Sequence, residues 1–272
     1  MTSKQQSLSA AVDRLLLGSV VCDFLTRQAF WNLLEKWLNS NHFHHVVTLN
    51  PEMVVQAETD TQFREAVGQA TLRIPDGTGL VWAQWYIRSE FWALWPSLFA
   101  FSFRHVERIQ GVEVVEQLAR MCAERALPMY LLGGTAAQVS GTAEKLRKQF
   151  PRLIVATSPS HAFDVNGPVD ILHGIQAAQP AVLLVAYGAP NQTVWIEKHR
   201  GDLPSVRVVV GVGGAFAILS EERPRAPRWM RQLNMEWLWR LTLEPSRLPR
   251  IWRAVVEFPR LIARQKKRLM IG

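Results

Sequence analysis

Cysteine is scarce in this 272-residue sequence: Cys22 and Cys122 stand alone, in no CxxC pair and at no zinc-finger spacing. Two distant thiols exclude a disulfide framework and read as core cysteines of a protein kept in a reducing cytoplasm. Long apolar runs are missing too. The most apolar stretch, 91–103 (FWALWPSLFAFSF), contains Pro96 and has only about half the ~20 residues that a spanning helix requires, so it is expected to dip into a membrane at most. The N-terminal segment has no apolar core or cleavage site, and Asp13 and Arg14 interrupt it; no export signal is expected. No GxGxxG occupies the first strand-to-helix loop, no GxxxxGK[ST] occurs, and no DxD follows a strand. These absences count against a standard dinucleotide fold, a P-loop and a metal-held nucleotide diphosphate.

Charge is present but unevenly placed. The net charge is +8 and the isoelectric point is about 10.0, which for a uniform distribution would point to nucleic acid. Residues 223–272 carry 13 Lys/Arg against three Glu, a net of +10, while residues 1–222 carry 18 against 20, a net of −2. The basic segment also holds Trp229, Trp237, Trp239 and Trp252. Basic residues interleaved with interfacial aromatics are the composition of a surface-lying membrane anchor, and a near-neutral body argues against a nucleic-acid partner. A solvated basic helix packed on its own domain is the plainer alternative.

Short β-branched runs at Val46–Leu49, Thr71–Ile74, Met129–Leu132, Leu153–Ala156, Ala181–Tyr187 and Val206–Val212 alternate with helical spacing at Thr26–Ser40, Pro51–Glu58, Gly111–Arg125, Ala136–Phe150, Val169–Gln179 and Asn191–Arg200. Nearly continuous apolar strands alternating with helices predict an α/β fold, a doubly wound, mostly parallel, Rossmann-like sheet, over residues 1–222. Beyond Pro224 and Pro227 the strand pattern stops. Residues 223–272 read as a helical appendage broken by Pro245, Pro249 and Pro259.

In such sheets ligands bind beyond the carboxyl ends of the strands, so the loops after each run are the candidate site. Gly133-Gly134-Thr135 and Gly211-Val212-Gly213-Gly214-Ala215-Phe216 both run from a strand into a helix, where a phosphate can approach bare backbone and a helix N-terminus. Glycines at such turns also serve merely to reverse the chain. Thr48-Leu49-Asn50-Pro51-Glu52 supplies a hydroxyl and an amide, and equally a capped helix start with Pro51 at the first helical position. Asp76, in Pro75-Asp76-Gly77, is either a turn residue or a carboxylate placed to take a proton from an attacking hydroxyl. Gly188-Ala189-Pro190-Asn191-Gln192 brings the Gln192 amide to the same edge, and Arg108 is either a surface cation or a clamp on diphosphate. His42, His44 and His45 cluster at the end of the first long helix with no carboxylate nearby in sequence, so a metal is not expected there.

Several segments in order carry a resemblance: TLNPEMVVQA (48–57), PDGTGL (75–80), ERIQGVEVVEQL (107–118), YLLGG (130–134), LLVAYGAPNQTVWI (183–196), GVGGAFAILS (211–220) and RAPRWMRQLNMEWLWRLTLEPSRLPR (225–250). Together they resemble the WecG/TagA/CpsF family, glycosyltransferase family twenty-six, from about Gly18 to Arg253. The resemblance implies an inverting glycosyltransferase that needs neither metal nor cofactor. It would move N-acetylmannosamine or a related sugar, of uronic acid or glucose type, from a UDP donor to an undecaprenyl-diphosphate-linked saccharide at the inner face of a bacterial membrane, in cell-surface polysaccharide synthesis.

By resemblance Asp76 is the general base, with Thr48, Asn50 and Arg108 beside it. Gly133, Gly134, Gly188, Pro190, Gln192, Gly213, Gly214 and Phe216 line the donor side, and Arg240, Arg247 and Arg250 meet the acceptor diphosphate. Self-association is left open. Two departures are plain: Pro190-Asn191-Gln192-Thr193 replaces the usual PKQE, and Ala217 stands where an acid is usual. The stretch 82–103 is longer and more aromatic than the family pattern, and a membrane-dipping hairpin is expected there. The competing readings are a nicotinamide-type enzyme of the same fold and a basic nucleic-acid-binding protein.

Overall fold

The computed structural model describes residues 12–90, 109–158, 169–222, 227, 230 and 236–271. The central sheet has six strands: β3 (His44–Leu49), β4 (Leu72–Pro75), β5 (Met129–Gly133), β6 (Val155–Ser158), β7 (Val182–Ala186) and β8 (Val208–Gly211). Their order is β4-β3-β8-β7-β5-β6 and every pairing is parallel. Successive strand residues divide between the two faces. Val46, Leu131, Leu184 and Val210 belong to one buried cluster, whereas Val47, Leu132, Leu183 and Val209 belong to clusters on the other face. Both faces are therefore apolar and both need helices, which is the physical content of a doubly wound sheet.

The first face is covered by α1 (Arg27–Leu38), the second by α2 (Pro51–Thr59) and α3 (Thr61–Gln69), with α4 (Thr78–Arg88) following β4. Next come α5 (Gly111–Arg125), α6 (Ala136–Gln149), α7 (Val169–Ala178), α8 (Asn191–Lys198) and the short α9 (Ala215–Leu219). Caps fix several starts: Thr26 for α1, Asn50 for α2 and Asp60 for α3 each accept a backbone N–H from the first turn.

Three elements lie outside the sequence expectations. An antiparallel hairpin, β1 (Asp13–Leu17) and β2 (Val20–Phe24), precedes the sheet. Its buried Asp23 carboxylate accepts the Arg73 N–H at 2.8 Å and its Nε–H at 3.1 Å, and meets Arg14 Nε at 3.1 Å. That network lays the hairpin against the edge strand β4, which would otherwise offer unpaired backbone groups. The other two are α3 and α4, where the sequence reading placed no helix. The membrane-dipping hairpin expected from residue 82 is corrected over its described part: α4 buries Trp82 and Tyr86 in the core, with the two rings stacked at 5.1 Å. The rest of that stretch lies outside the described residues.

The chain ends in α10 (Glu236–Leu243), a 3-10 turn (Pro245–Arg247), α11 (Leu248–Trp252), a π-helical segment (Arg253–Glu257) and α12 (Phe258–Ile271). Phe258 and Ile262 are fully buried in the cluster that holds Trp82 and Met53. Lys266 Nζ donates to the Tyr86 and Ser89 carbonyls, both at 2.6 Å, and Gln265 bonds the hairpin turn at Gly18 N and Leu16 O. The last helix is thus continuous with the core of the body.

Candidate active site

The carboxyl ends of β3, β4, β7 and β8 converge. The Asp76 N–H donates to the Leu49 carbonyl at 2.6 Å, which ties the end of β4 to the end of β3. Asp76 itself is half-buried, and Gly77 follows at φ 90° as the N-cap of α4. A Cβ on Gly79 would lie 2.5 Å from Pro51 Cγ, so the starts of α2 and α4 are pressed together beside Asp76. The Asn50 amide oxygen caps α2 at Met53 N, 2.9 Å away. That leaves its NH2 group to offer a ligand.

Thr48 and Gln192 have internal partners. The buried Thr48 Oγ1 donates to the Gly211 carbonyl at 2.9 Å, joining β3 to β8. Gln192, 3% exposed, accepts the Gly213 N–H at 3.0 Å, and a Cβ on Gly211 would fall 2.5 Å from its Nε2. Gly211 is therefore a glycine because the Gln192 amide lies across it. Both side chains shape the crevice from behind.

The turns themselves differ. Gly188 (φ 74°) and Gly213 (φ 51°) have positive φ, and among the described residues nothing lies within 4 Å of where a Cβ would sit, so a ligand can approach their backbone. At Gly133 that position is 3.0 Å from the Ala186 carbonyl, and at Gly134 it is 3.0 Å from Gln138 Oε1. Thr135 and Gln138 there form a capping box that occupies two of the helix's first N–H donors. Pro190 is the N-cap position of α8, after a cis peptide bond. Gly214 is the N-cap position of α9, while Phe216 is fully buried beneath the loop, where its carbonyl accepts the Thr142 hydroxyl at 3.2 Å. Ala217 is buried as well.

Of the tail arginines, Arg250 reaches this edge: its Nε lies 3.5 Å from Oε1 of Glu52, on the first turn of α2. Arg240 falls in α10 and Arg247 in the 3-10 turn, and their side chains lie outside the described residues, as does Arg108 altogether. The sequence offers no sign of this contact for Glu52, because its partner lies 198 positions along the chain, beyond any local pattern.

His44 and His45 sit at the opposite, amino edge, at the start of β3. His44 stacks on Trp37 at 4.4 Å, and burial lowers its pKa to about 4. His45 is wholly buried with Nδ1 2.5 Å from Glu197 Oε1; burial, the larger cause, lowers its pKa although the carboxylate opposes this. The carboxylate that the local sequence did not show thus comes from α8. Both cysteines are buried and free, and burial pushes the Cys122 thiol up to about 12.

Comparison with known proteins now decides the family. The model of the glycosyl transferase WecG/TagA/CpsF family matches residues 15–271. The chain belongs to this family. It is a glycosyltransferase, and the matched range contains the converging loops just described. Among those relatives is an N-acetylglucosaminyldiphosphoundecaprenol N-acetyl-beta-D-mannosaminyltransferase of Staphylococcus aureus strain NCTC 8325 / PS 47. It is 27% identical over 270 residues, covering 99% of this chain and 98% of the relative. The enzyme of the same name from strain MRSA252 is 26% identical with the same coverage. Among the described residues of the transferase, no helix is long and apolar enough to cross a membrane.

Proposed function

We propose that the transferase moves N-acetylmannosamine, or a closely related sugar, from a UDP donor onto a saccharide carried by undecaprenyl diphosphate, with inversion and without a metal. The relatives' name supports the sugar and the lipid-linked acceptor. The observation that carries the mechanism is the placement of Asp76 at the junction of β3 and β4, on the edge where the open turns at Gly188 and Gly213 also lie. Asp76 takes the proton of the acceptor hydroxyl as its oxygen bonds to the anomeric carbon of the donor sugar. The bond from that carbon to the diphosphate breaks, and UDP leaves with the electron pair. One displacement inverts the anomeric centre. Backbone donors at the open turns and arginine guanidinium groups stabilise the charge on the departing diphosphate. Asn50, through its NH2 group, and Arg108 belong to this pocket, and Arg240, Arg247 and Arg250 to the acceptor's diphosphate.

The tail is assigned to the cytoplasmic face of an anionic membrane. Leu248, Trp252 and Val255 are exposed at spacings of four and three, and Arg260, Arg264, Lys267 and Arg268 are exposed along α12. Each basic residue near such a surface contributes about 1 kcal/mol, so several together with one tryptophan give reversible, salt-sensitive binding. Residues 223–272 are accordingly a membrane-binding and site-completing appendage, with no nucleic-acid role.

Asp76→Asn is expected to lower turnover by about 10²–10⁴ with the melting temperature and UDP binding retained. Unchanged turnover removes Asp76 as the base. Mass spectrometry of products from a UDP-sugar panel with a short-chain lipid-diphosphate acceptor identifies the donor, and retention on NAD in place of UDP would favour a nicotinamide enzyme. Pelleting with anionic liposomes, lost in Trp252→Glu and at high salt, checks the membrane assignment; binding to DNA at matched salt instead would overturn it.

A further inference from the structure

The ion pair between Glu52 and Arg250 joins the two parts of the molecule at the mouth of the crevice. Glu52 lies two residues after Asn50, and its side chain is 20% exposed, whereas that of Arg250 is 51% exposed. The π-helical segment and α12 both pack on α2, so the tail is pressed onto the helix that carries Glu52. A pair this exposed contributes little to stability, and packing of the tail is accounted for by Phe258 and Ile262. Its geometry is more informative. The contact uses Nε of the guanidinium, on one side of a planar fork whose other donors, the Nη pair, match two oxygens of a phosphate.

We infer that Glu52 is a positioning residue: it holds Arg250 by Nε so that the Nη pair is set in advance for the diphosphate of the lipid-linked acceptor. This rests on the proposed acceptor role of Arg250. Fixing one long side chain before binding removes an ordering cost at the moment of binding, so Glu52 acts on acceptor affinity, through Arg250, and on neither proton transfer nor donor binding.

The experiment is steady-state kinetics of the full chain with a short-chain polyprenyl-diphosphate acceptor, in Glu52→Ala, Glu52→Gln, Arg250→Ala and the Glu52→Ala/Arg250→Ala double variant. Glu52→Ala is expected to raise the acceptor KM about threefold to tenfold, with kcat and the donor KM within about twofold. Glu52→Gln, which keeps a polar oxygen facing Nε but loses the charge, should fall between it and the parent. Arg250→Ala should raise the acceptor KM at least as far, and adding Glu52→Ala to it should change nothing more.

If Arg250→Ala raises the acceptor KM while neither Glu52 variant does, the inference fails and the reading of Arg250 stands. If Arg250→Ala leaves it unchanged, that reading fails and takes the inference with it. An equal effect of Glu52→Ala with and without Arg250, or a matching fall in kcat, also overturns the inference. Should Glu52→Ala melt early, Glu52→Gln decides by the same readouts.

Discussion

Two loops of this transferase look alike as sequence and differ in structure. Gly133-Gly134-Thr135 after β5 and Gly211–Gly214 after β8 both take a strand into a helix through glycines. In the first, the glycines face neighbours: the Ala186 carbonyl crowds Gly133, and the side chain of Gln138 crowds Gly134 while closing a capping box with Thr135. In the second, no described residue lies within 4 Å of where a Gly213 Cβ would sit, and its N–H is held by Gln192, which fixes the turn. A glycine-rich turn admits a ligand only where the space beside its backbone is not already filled, and only the tertiary neighbours decide that.

The contrast can be broken experimentally. The largest effect is expected at the second loop. Gln192→Ala removes the side chain that fixes the Gly213 turn, and under the proposed donor assignment should raise the donor KM about tenfold, because the turn must then be ordered at the moment of binding. Gly211→Ala should act the same way, because its Cβ would lie 2.5 Å from Gln192 Nε2 and displace that amide. Donor titrations that leave both variants at parental affinity would remove the distinction between the loops.

A smaller effect, of another kind, is expected at the first loop. Thr135→Ala loses the cap, about 1 kcal/mol, and should lower the melting temperature by about 2–4 °C while the donor KM stays within about twofold. A donor KM that rises as it does for Gln192→Ala would place the diphosphate at both loops.

The smallest effect on activity belongs to the amino edge, far from either loop. His44 has a pKa of about 4 in the fold against an ordinary value of 6.5. The unfolded chain therefore binds the proton first as pH falls: stability is full above 6.5 and declines toward pH 4, with buried His45 acting in the same direction. His44→Gln should flatten that decline, seen as a smaller drop in urea midpoint between pH 7 and pH 5, with activity at pH 7 unchanged. An equally steep decline would assign the pH dependence to other groups.

Much of the fold was legible because its signals are local. Runs such as Val182–Ala186 are apolar at every position, which only a strand covered on both faces permits, and the caps at Asn50 and Thr26 announced their helices. The β1/β2 hairpin was not legible, since Asp23 sits inside a strand and becomes tolerable only when Arg73 and Arg14 surround it. Nor was α4, whose crowded Trp82, Trp85 and Tyr86 read as a membrane-seeking stretch until α12 supplied Phe258 to cover them.

By itself the sequence determined the class of fold, the family, and the separation of a near-neutral body from a basic tail, and it pointed to the edge of the sheet proposed for the site. Each follows from periodicity, composition or motif order along the chain. Only the tertiary structure decided which of the site's polar groups are available. Thr48 and Gln192 have their bonds to β8 and its loop, Phe216 lies in the core, and Arg250 comes to Glu52 from the far end of the chain. Availability depends on whether a neighbour already satisfies a donor or acceptor, and those neighbours are brought together by folding, over 21 residues for Gln192 and Gly213 and over 163 for Thr48 and Gly211.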